Sequence, residues 1–214
     1  MSSSASIDQE AHWDRVYREK RDTDLGWFQP HPAVSLELIT AAAPDRDARI
    51  IDVGGGDSLL VDHLLALGYG QLTVLDISRS AVERAQVRLG TNADKVRWIV
   101  GDVMTTDGLG LHDLWHDRAL FHFLLEPAQR RQYLAAVSRS VAARGAVVIA
   151  TFAPDGPAQC SGLDVCRYDA EGLALEFGEG FQLVDARCEA HQTPWAAEQR
   201  FAYASLRRVV GQTA

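Results

Sequence analysis

The sequence predicts a doubly wound α/β fold, in which helices cover both faces of a mostly parallel sheet and the chain ends in an antiparallel strand pair. Between residues 50 and 152, short apolar segments of strand length alternate with segments of helical periodicity. Helices connect most of these strands, as parallel neighbours require. Near the C-terminus, two strand-like segments are joined by residues 192–195 alone. A connection that short suits an antiparallel hairpin.

The elements follow one another in a regular order. Strands are predicted at 50–53, 72–75, 96–100, 114–120 and 146–152, and helices at 59–67, 80–89 and 127–143. Ser78 is expected to cap the helix 80–89 and Gly90 to end it. Helices at 8–21 and 33–43 precede this part, and a helix at 169–177 and strands at 181–190 and 200–206 follow it. We expect one domain over 1–214, with cap helices in 1–45 and the core in 46–214.

Composition narrows the class of protein. The 214 residues carry a formal charge of -8 and no basic stripe, which argues against a nucleic-acid substrate. Three cysteines, an odd number, make a disulfide framework unlikely and indicate a reducing compartment. Residues 1–6 lack the basic and apolar regions of a signal peptide, and no apolar run has transmembrane length. We therefore expect a cytoplasmic protein that does not contact membranes.

A glycine turn is the most informative local feature. Residues 50–58 run from an apolar strand into Gly54, Gly55 and Gly56, where no Cβ prevents close approach of a ligand to the backbone. The next strand ends in Asp76, which is positioned to accept hydrogen bonds from two ribose hydroxyls. The pattern predicts a cofactor that contains adenosine.

Two kinds of adenosine cofactor fit this pattern. A dinucleotide fingerprint needs glycine or alanine at its third position, where this chain has Leu59. The mismatch disfavours NAD and FAD and leaves a dehydrogenase as a weaker alternative.

Three motifs occur in order, each at the end of a predicted strand: Asp52-Val53-Gly54-Gly55-Gly56, Leu75-Asp76-Ile77-Ser78 and Gly101-Asp102-Val103. On these motifs the chain resembles class I S-adenosylmethionine-dependent methyltransferases over nearly its whole length. The resemblance implies a Rossmann-like, seven-stranded and mostly parallel sheet whose last two strands form the antiparallel hairpin. It also implies S-adenosyl-L-methionine as the cofactor.

The resemblance implies a role for each matching residue. Asp52 and the turn of Gly54, Gly55 and Gly56 would hold the methionine end of the cofactor. Asp76 would bind the ribose hydroxyls and Ile77 would pack on the adenine. Asp102 would accept a hydrogen bond from the adenine amino group, and Val103 would flank the ring. For each acid, the alternative is that it caps a helix or a turn.

The segment after the fourth strand limits which methyl acceptors are possible. Residues 116–124 lack the Asn/Asp-Pro-Pro-Tyr/Phe motif of enzymes that methylate planar nitrogens, which argues against nucleobase or glutamine methylation. The pair Asp117-Arg118 is similar to the thiopurine and thiol methyltransferase group. His122 is the candidate general base, because histidine titrates near neutrality. Asp117 would hold the amino group of the cofactor or orient the substrate. The alternatives are a packed His122 and an Asp117 that pairs with Arg118.

Aromatic residues near the N-terminus resemble those of thiopurine-type enzymes and of certain protein-lysine methyltransferases. The resemblance implies a pair of N-terminal helices that close over the cofactor. Trp13 and Tyr17 on the first helix, and Trp27 in the loop that follows it, would exclude water there and contact the sulfonium by cation–π attraction. The alternative is simple packing on the sheet.

Three residues are candidates for binding the acceptor. Cys160 lies in the glycine- and proline-rich segment 153–163 that follows the fifth strand. His191 and Trp195 flank the connection of the final hairpin, where they would line the acceptor pocket or stabilise the hairpin. Cys188 and His191 have a ligand-like spacing but no second pair, so no metal site is predicted.

The sequence therefore predicts an S-adenosylmethionine-dependent methyltransferase that transfers a methyl group by in-line displacement to a small-molecule thiol, heterocycle or phenol. A protein-lysine methyltransferase and a non-catalytic module that binds the cofactor are the alternatives. The oligomeric state stays open.

Overall fold

A computed structural model describes residues 8–209, with the side chain of Asp22 excepted. Its helices are α1 (Gln9–Glu19), α2 (Ala33–Ala42), α3 (Leu60–Ala66), α4 (Arg79–Leu89), α5 (Pro127–Ser140) and α6 (Ala170–Phe177). Its strands are β1 (Arg49–Val53), β2 (Gln71–Asp76), β3 (Val96–Val100), β4 (His112–Arg118), β5 (Val141–Phe152), β6 (Gln159–Cys160), β7 (Leu163–Asp164), β8 (Phe181–Gln192) and β9 (Glu198–Arg208).

Seven of these strands form one sheet in the order β3-β2-β1-β4-β5-β9-β8. The first five in this order are parallel to one another, whereas β9 pairs antiparallel with both β5 and β8. The predicted fold class, a mostly parallel seven-stranded sheet with an antiparallel C-terminal hairpin, is confirmed. Strands β6 and β7 form a separate two-stranded hairpin that the sequence analysis did not predict.

The sheet has an apolar core on each face because consecutive side chains of a strand point to opposite sides. On β1, Ile50 belongs to the core under α2 and α3, and Ile51 belongs to the core under α5 and α6. Helices thus cover both faces of the central strands. The carboxyl ends of β1, β2 and β4 meet at one edge of the sheet.

Helix α1 lies across the N-terminus of α4 and completes a third, small apolar cluster that contains Tyr17. The Asp14 carboxylate accepts hydrogen bonds from the Ser78 hydroxyl at 2.7 Å and from the Ser80 backbone nitrogen at 3.0 Å. Arg84 donates to the backbone oxygens of Tyr17 and Lys20, each at 2.7 Å. These contacts place the aromatic face of α1 over the edge where the strands end.

Two predicted boundaries are wrong. The strand predicted at 114–120 runs from His112 to Arg118. The predicted helix 127–143 ends at Ser140, and β5 begins directly at Val141 instead of at residue 146. Val141 is fully buried and pairs with His112 of β4, and a β-branched residue suits such a strand. Ser78 caps α4 and Gly90 ends it, as predicted.

Residues 1–6, which were examined for a signal peptide, lie outside the described range. None of the helices within residues 8–209 is long and apolar enough to cross a membrane.

Candidate active site

Three adjoining cavities open where β1, β2 and β4 end, and all three are lined by Gly54. We call them the inner cavity, next to Asp52 and His116; the central chamber, next to Arg118 and Cys160; and the outer slot, next to Asp102 and Val103. Open parallel sheets bind ligands at this edge. The three motifs of the sequence therefore meet in one cleft.

The glycine turn needs glycine for steric reasons. Gly54 and Gly56 have φ angles of 68° and 51°, in the left-handed region that side chains disfavour. A Cβ on Gly54 would come within 2.8 Å of the Leu120 side chain, and one on Gly56 would overlap the Tyr17 hydroxyl. The Gly54 backbone nitrogen donates to the Leu75 oxygen at 2.8 Å, which ties the turn to β2.

Asp76, at the end of β2, lines both the central chamber and the outer slot. Its Oδ1 accepts a hydrogen bond from the Ser78 backbone nitrogen at 2.7 Å. Burial raises the pKa of Asp76 to about 7, and the negative charge of Asp52 adds to the shift, although backbone donors from Ser78 and Gly56 oppose it. A buried carboxylate of this kind gains from further hydrogen-bond donors, which a ligand can bring.

The outer slot is mainly apolar. Ile77 and Val103 line it together with Leu75, Met104 and Phe123. Asp102 lies at its mouth, and its Oδ1 accepts a hydrogen bond from the Met104 backbone nitrogen at 2.8 Å. The second carboxylate oxygen of Asp102 is a hydrogen-bond acceptor beside this apolar lining.

An aromatic wall covers the central chamber. Trp13 packs edge-on against Trp27, with ring centroids 5.8 Å apart, and against Phe123 at 5.0 Å. Tyr17 lies 6.2 Å from Trp27 and lines both the chamber and the inner cavity. These rings therefore pack on one another and also line the cleft.

A buried chain of three polar groups borders the inner cavity. His116 Nδ1 lies 2.7 Å from Asp52 Oδ1, and His116 Nε2 lies 3.0 Å from the Ser35 hydroxyl. A carboxylate only accepts, so Nδ1 donates to Asp52, while Nε2 forms a hydrogen bond with the Ser35 hydroxyl. Ser35 belongs to α2, so the chain joins an N-terminal helix to the end of β1. The sequence analysis assigned no role to His116 or Ser35.

Arg118, the last residue of β4, lines the inner cavity and the central chamber. Its Nε donates to the Tyr203 hydroxyl at 2.9 Å and its Nη1 to the Trp27 oxygen at 3.1 Å. Its guanidinium carbon lies 4.2 Å from the centre of the Phe201 ring. From the sequence, Arg118 was considered only as part of a motif. A cation at the end of a strand is a signal that could have identified it as a site residue.

The residue after Arg118 has an unusual backbone. Ala119 has a φ angle of 72°, which costs free energy in a residue with a Cβ. Its nitrogen donates to the Ala150 oxygen of β5 at 2.9 Å, which holds this conformation. The turn directs Ala119 and Leu120 into the chamber wall.

Cys160, on the unpredicted β6, reaches the central chamber as the sequence analysis expected. Burial raises the pKa of its thiol to about 11, against the opposing effect of the positive charge of Arg118. At neutral pH the group is a protonated thiol that contributes shape rather than charge.

The structure corrects the predicted base. His122 is fully buried and lines none of the three cavities. Its Nδ1 accepts from the Phe152 backbone nitrogen at 3.4 Å, and its backbone oxygen accepts from the Cys166 nitrogen at 2.8 Å. Burial and the charge of Arg118 lower the pKa of His122 to about 3. The ring is a packed, neutral group that is out of reach of an acceptor.

The predicted role of Asp117 is also wrong. Its carboxylate accepts from the Tyr133 hydroxyl at 2.6 Å and from the backbone nitrogens of Leu120 at 2.9 Å and Phe121 at 3.1 Å. It is fully buried and lines none of the three cavities. Asp117 therefore holds the turn after β4 on α5; it neither pairs with Arg118 nor contacts the cleft.

His191 and Trp195 do not line the described cavities either. The His191 Nε2 lies 2.7 Å from the Gly26 oxygen, so the ring donates to the loop before Trp27. Trp195 is 60% exposed and lies against Gly26. Both residues hold the loop that carries Trp27 against the β8–β9 hairpin instead of lining the cleft. No group of three or more potential metal ligands occurs within residues 8–209.

Comparison with known proteins gives this cleft a chemical context. A family model described as a methyltransferase domain matches residues 50–145, which contain all three motifs of the cleft. The human EEF1A lysine methyltransferase 2 is 26% identical, with 81% of this chain and 74% of the relative covered. The mouse protein of the same name is 25% identical, over 81% of this chain and 72% of its own.

Solved structures share the fold at low sequence identity. An S-adenosylmethionine-dependent methyltransferase from Anabaena variabilis has a TM-score of 0.76 and 15% identity, with 98% of this chain and 99% of that chain covered. The N-methyltransferase NodS from Bradyrhizobium japonicum, in complex with S-adenosylhomocysteine, has a TM-score of 0.72 and 17% identity, with 94% and 99% covered. Residues 50–145 thus match a methyltransferase domain, and the described chain has the class I methyltransferase fold; the protein is an enzyme that uses S-adenosylmethionine as its methyl donor.

Proposed function

We propose that this enzyme methylates a small-molecule acceptor, a thiol, heterocycle or phenol, in the central chamber, with the donor held along the outer slot and inner cavity. The observation that carries the proposal is the chamber itself. Trp13, Trp27 and Phe123 wall it, and Arg118 and Cys160 close its far side. A chamber lined by large side chains suits a compact acceptor better than a folded protein surface.

The residues of the cleft fit the donor. The buried Asp76 carboxylate would accept hydrogen bonds from the ribose hydroxyls. These donors would replace the water molecules that burial removes from the carboxylate. Ile77 and Val103 would pack on the adenine, and Asp102 would accept a hydrogen bond from the adenine amino group. The apolar lining of the outer slot suits a heteroaromatic ring.

The methionine end would lie at the inner cavity. The Asp52 carboxylate, which His116 holds in place, would accept a hydrogen bond from the α-amino group of the donor. The turn of Gly54, Gly55 and Gly56 would let the methionine part of the donor approach the backbone closely. The faces of Trp13, Tyr17 and Trp27 would favour the positive sulfonium.

S-adenosylmethionine supplies an electrophilic methyl group on a positively charged sulfur. A lone pair of the acceptor forms the new bond to the methyl carbon as the bond from that carbon to the sulfonium breaks, and S-adenosylhomocysteine leaves. A thiol or phenol acceptor loses its proton to solvent before it enters the chamber. The enzyme contributes alignment and exclusion of water, and no side chain of the chamber is required as a base.

A protein-lysine acceptor is the second candidate, because the curated relatives named above are lysine methyltransferases. The charge of the chamber favours the first candidate. Arg118 lines the chamber, and a lysine ammonium that enters it would face this cation as well as the sulfonium.

The acceptor class is tested by transfer of tritiated methyl groups. Equal amounts of enzyme are incubated with a panel of thiols, phenols and heterocycles and, separately, with a protein lysate that has been freed of small molecules. We expect label in the small-molecule fraction only. Label confined to lysine residues of the protein fraction would replace the first candidate by the second. Asp76→Ala, which should abolish donor binding, is the control for enzyme-dependent transfer.

A further inference from the structure

We propose that the protein has a second binding site, for a phosphate-type oxyanion, at the edge of the sheet opposite the donor cleft. The site is a cavity that opens where β1, β2, β3 and β4 begin, and its volume is about 440 Å³. We call it the basic cavity because Arg49, Lys95 and Arg97 line it. It shares no lining residue with the three cavities of the cleft, so the inference does not depend on the proposed acceptor.

Two cations of the basic cavity have no carboxylate partner. Arg97 donates from Nη1 to the Leu109 oxygen at 2.7 Å and from Nη2 to the Gly108 oxygen at 2.9 Å, and both acceptors are neutral. Neither Arg97 nor Lys95 forms an ion pair within residues 8–209. Both residues are exposed, so a ligand can reach them.

The charge of the lining is positive although the whole chain carries a formal charge of -8. One carboxylate, Asp94, lines the basic cavity together with the three cations. Arg49 pairs with Asp113 at 2.7 Å, which leaves Arg97 and Lys95 as the cations that can attract a ligand. A local excess of positive charge in an acidic protein favours an anion at this place.

A buried pair of polar groups also lines the basic cavity. Thr73 and His112 are 6% and 4% exposed, and His112 Nε2 lies 3.3 Å from the Thr73 hydroxyl. The other ring nitrogen, Nδ1, has no hydrogen-bond partner of normal geometry among the residues that the structure describes, although the Ser140 backbone lies near the ring. Buried polar groups without partners are rare in proteins.

This pair has an unused hydrogen-bond donor. Burial lowers the pKa of His112 to about 4, and the positive charges of Arg97 and Arg49 add to the shift, so the neutral ring has one N–H. With the proton on Nε2, the ring donates to Thr73 and the Thr73 hydroxyl proton is unused. With the proton on Nδ1, Thr73 donates to Nε2 and the Nδ1 proton is unused. Either tautomer thus leaves one buried donor for a ligand oxygen.

Arg97 lies beside the buried pair. Thr73 of β2 pairs in register with Arg97 of β3, so the two side chains project from the same face of the sheet. The guanidinium uses two of its five N–H groups on the loop oxygens and keeps the others. A tetrahedral oxyanion has several acceptor oxygens and a negative charge, which suits a guanidinium and a neutral donor side by side. The volume leaves room for a small organic group on the phosphate.

Calorimetry with inorganic phosphate tests the site in enzyme saturated with S-adenosylhomocysteine, so that the donor cleft is filled. Sodium chloride keeps the ionic strength constant. We expect saturable binding with a Kd of about 1 mM or lower, and phosphate should shift the NMR signals of the His112 ring. Glycerol phosphate is the second probe. Tighter binding than inorganic phosphate would identify a phosphorylated metabolite as the ligand, and weaker binding would identify free phosphate.

Substitutions distinguish this site from general attraction of anions. Arg97→Gln should raise the Kd for phosphate about tenfold, and Lys95→Gln about threefold. Thr73→Val keeps the shape of the side chain but removes the hydroxyl, and it should also raise the Kd. Arg187→Gln changes an exposed arginine on β8 and is the matched control with an unchanged Kd.

Three outcomes overturn the inference. One is the absence of saturable binding up to about 20 mM phosphate. Another is binding that leaves the signals of the His112 ring unshifted. The third is an unchanged Kd in Lys95→Gln. This variant decides the case even if Arg97→Gln disturbs the loop, because Lys95 forms no hydrogen bond or ion pair within the described part of the chain.

Discussion

His116 Nδ1 lies 2.7 Å from Asp52 Oδ1, inside the inner cavity at the end of β1. The other ring nitrogen of His116 lies 3.0 Å from the Ser35 hydroxyl on α2. The histidine thus fixes the carboxylate that we place at the amino group of the donor, and it connects an N-terminal helix to that carboxylate.

Replacement of His116 should weaken donor binding without removing it. His116→Leu deletes the donor to Asp52 and should raise the Kd for S-adenosylhomocysteine about tenfold. His116→Asn keeps a donor at the Nδ1 position and should have the smaller effect. Calorimetry on folded variants measures both. Equal affinities for His116→Leu and the wild type would remove His116 from the donor site.

Donor affinity should rise with pH up to about 7. Burial raises the pKa of Asp76 to about 7, so near neutrality the free enzyme is a mixture of both protonation states. Ribose hydroxyls donate to the ionised form, so binding favours it, and the Kd should fall by up to about tenfold per pH unit below the pKa. Calorimetric titrations with S-adenosylhomocysteine test this. Asp76→Asn should bind weakly with no such slope, and an identical slope in the variant would assign the titration to another group.

The same pKa predicts a stability effect in the absence of the donor. The folded-state pKa of Asp76, about 7, lies above the unfolded value of about 3.9. The stability associated with the neutral carboxyl is complete below about pH 3.9 and is lost as the pH rises through 7. Asp76→Asn should therefore raise the free energy of unfolding above pH 7, by on the order of 1 kcal/mol or more. Urea unfolding at pH 8 measures it; a less stable variant would contradict the assignment.

His122 should have no role as a base. Its pKa of about 3 keeps the ring neutral across the working range, and the ring lines none of the three cavities. His122→Gln should leave every inflection of the pH profile of kcat/KM in place, and any loss of packing should lower the rate equally at every pH. Loss of an inflection near neutral pH in this variant alone would restore the catalytic role.

Cys160 should contribute to the shape of the chamber and not act as a nucleophile. Its thiol pKa of about 11 leaves little thiolate at pH 8. We expect iodoacetamide to label the exposed Cys188 well before Cys160, as read by mass spectrometry, and Cys160→Ser to keep kcat/KM within about threefold. Rapid labelling of Cys160 with loss of activity would show that the thiol is ionised.

The donor half of the cleft could be read from the sequence because it is local. Asp52, Gly54, Asp76 and Asp102 each lie at or just after the carboxyl end of a strand whose apolar pattern is evident, and parallel strands bring their ends to one edge. Alternating periods of strand and helix likewise predicted all seven strands of the main sheet.

The acceptor half could not be read in the same way. Arg118, Trp27, Tyr203 and Glu189 lie far apart in sequence, and only the docking of the N-terminal loop on the β8–β9 hairpin brings them together. The error at His122 has a local cause. The left-handed Ala119 turns the chain after β4, so the ring faces Phe152 instead of the cleft, and no periodic pattern reports such a turn.

A crystal structure of the complex with S-adenosylhomocysteine tests the central claim most directly. We predict the ribose hydroxyls within hydrogen-bond distance of the Asp76 carboxylate and the adenine between Ile77 and Val103. The sulfur should face the chamber of Trp13, Trp27 and Arg118. A ligand bound away from Gly54, or a ribose that does not contact Asp76, would contradict the account.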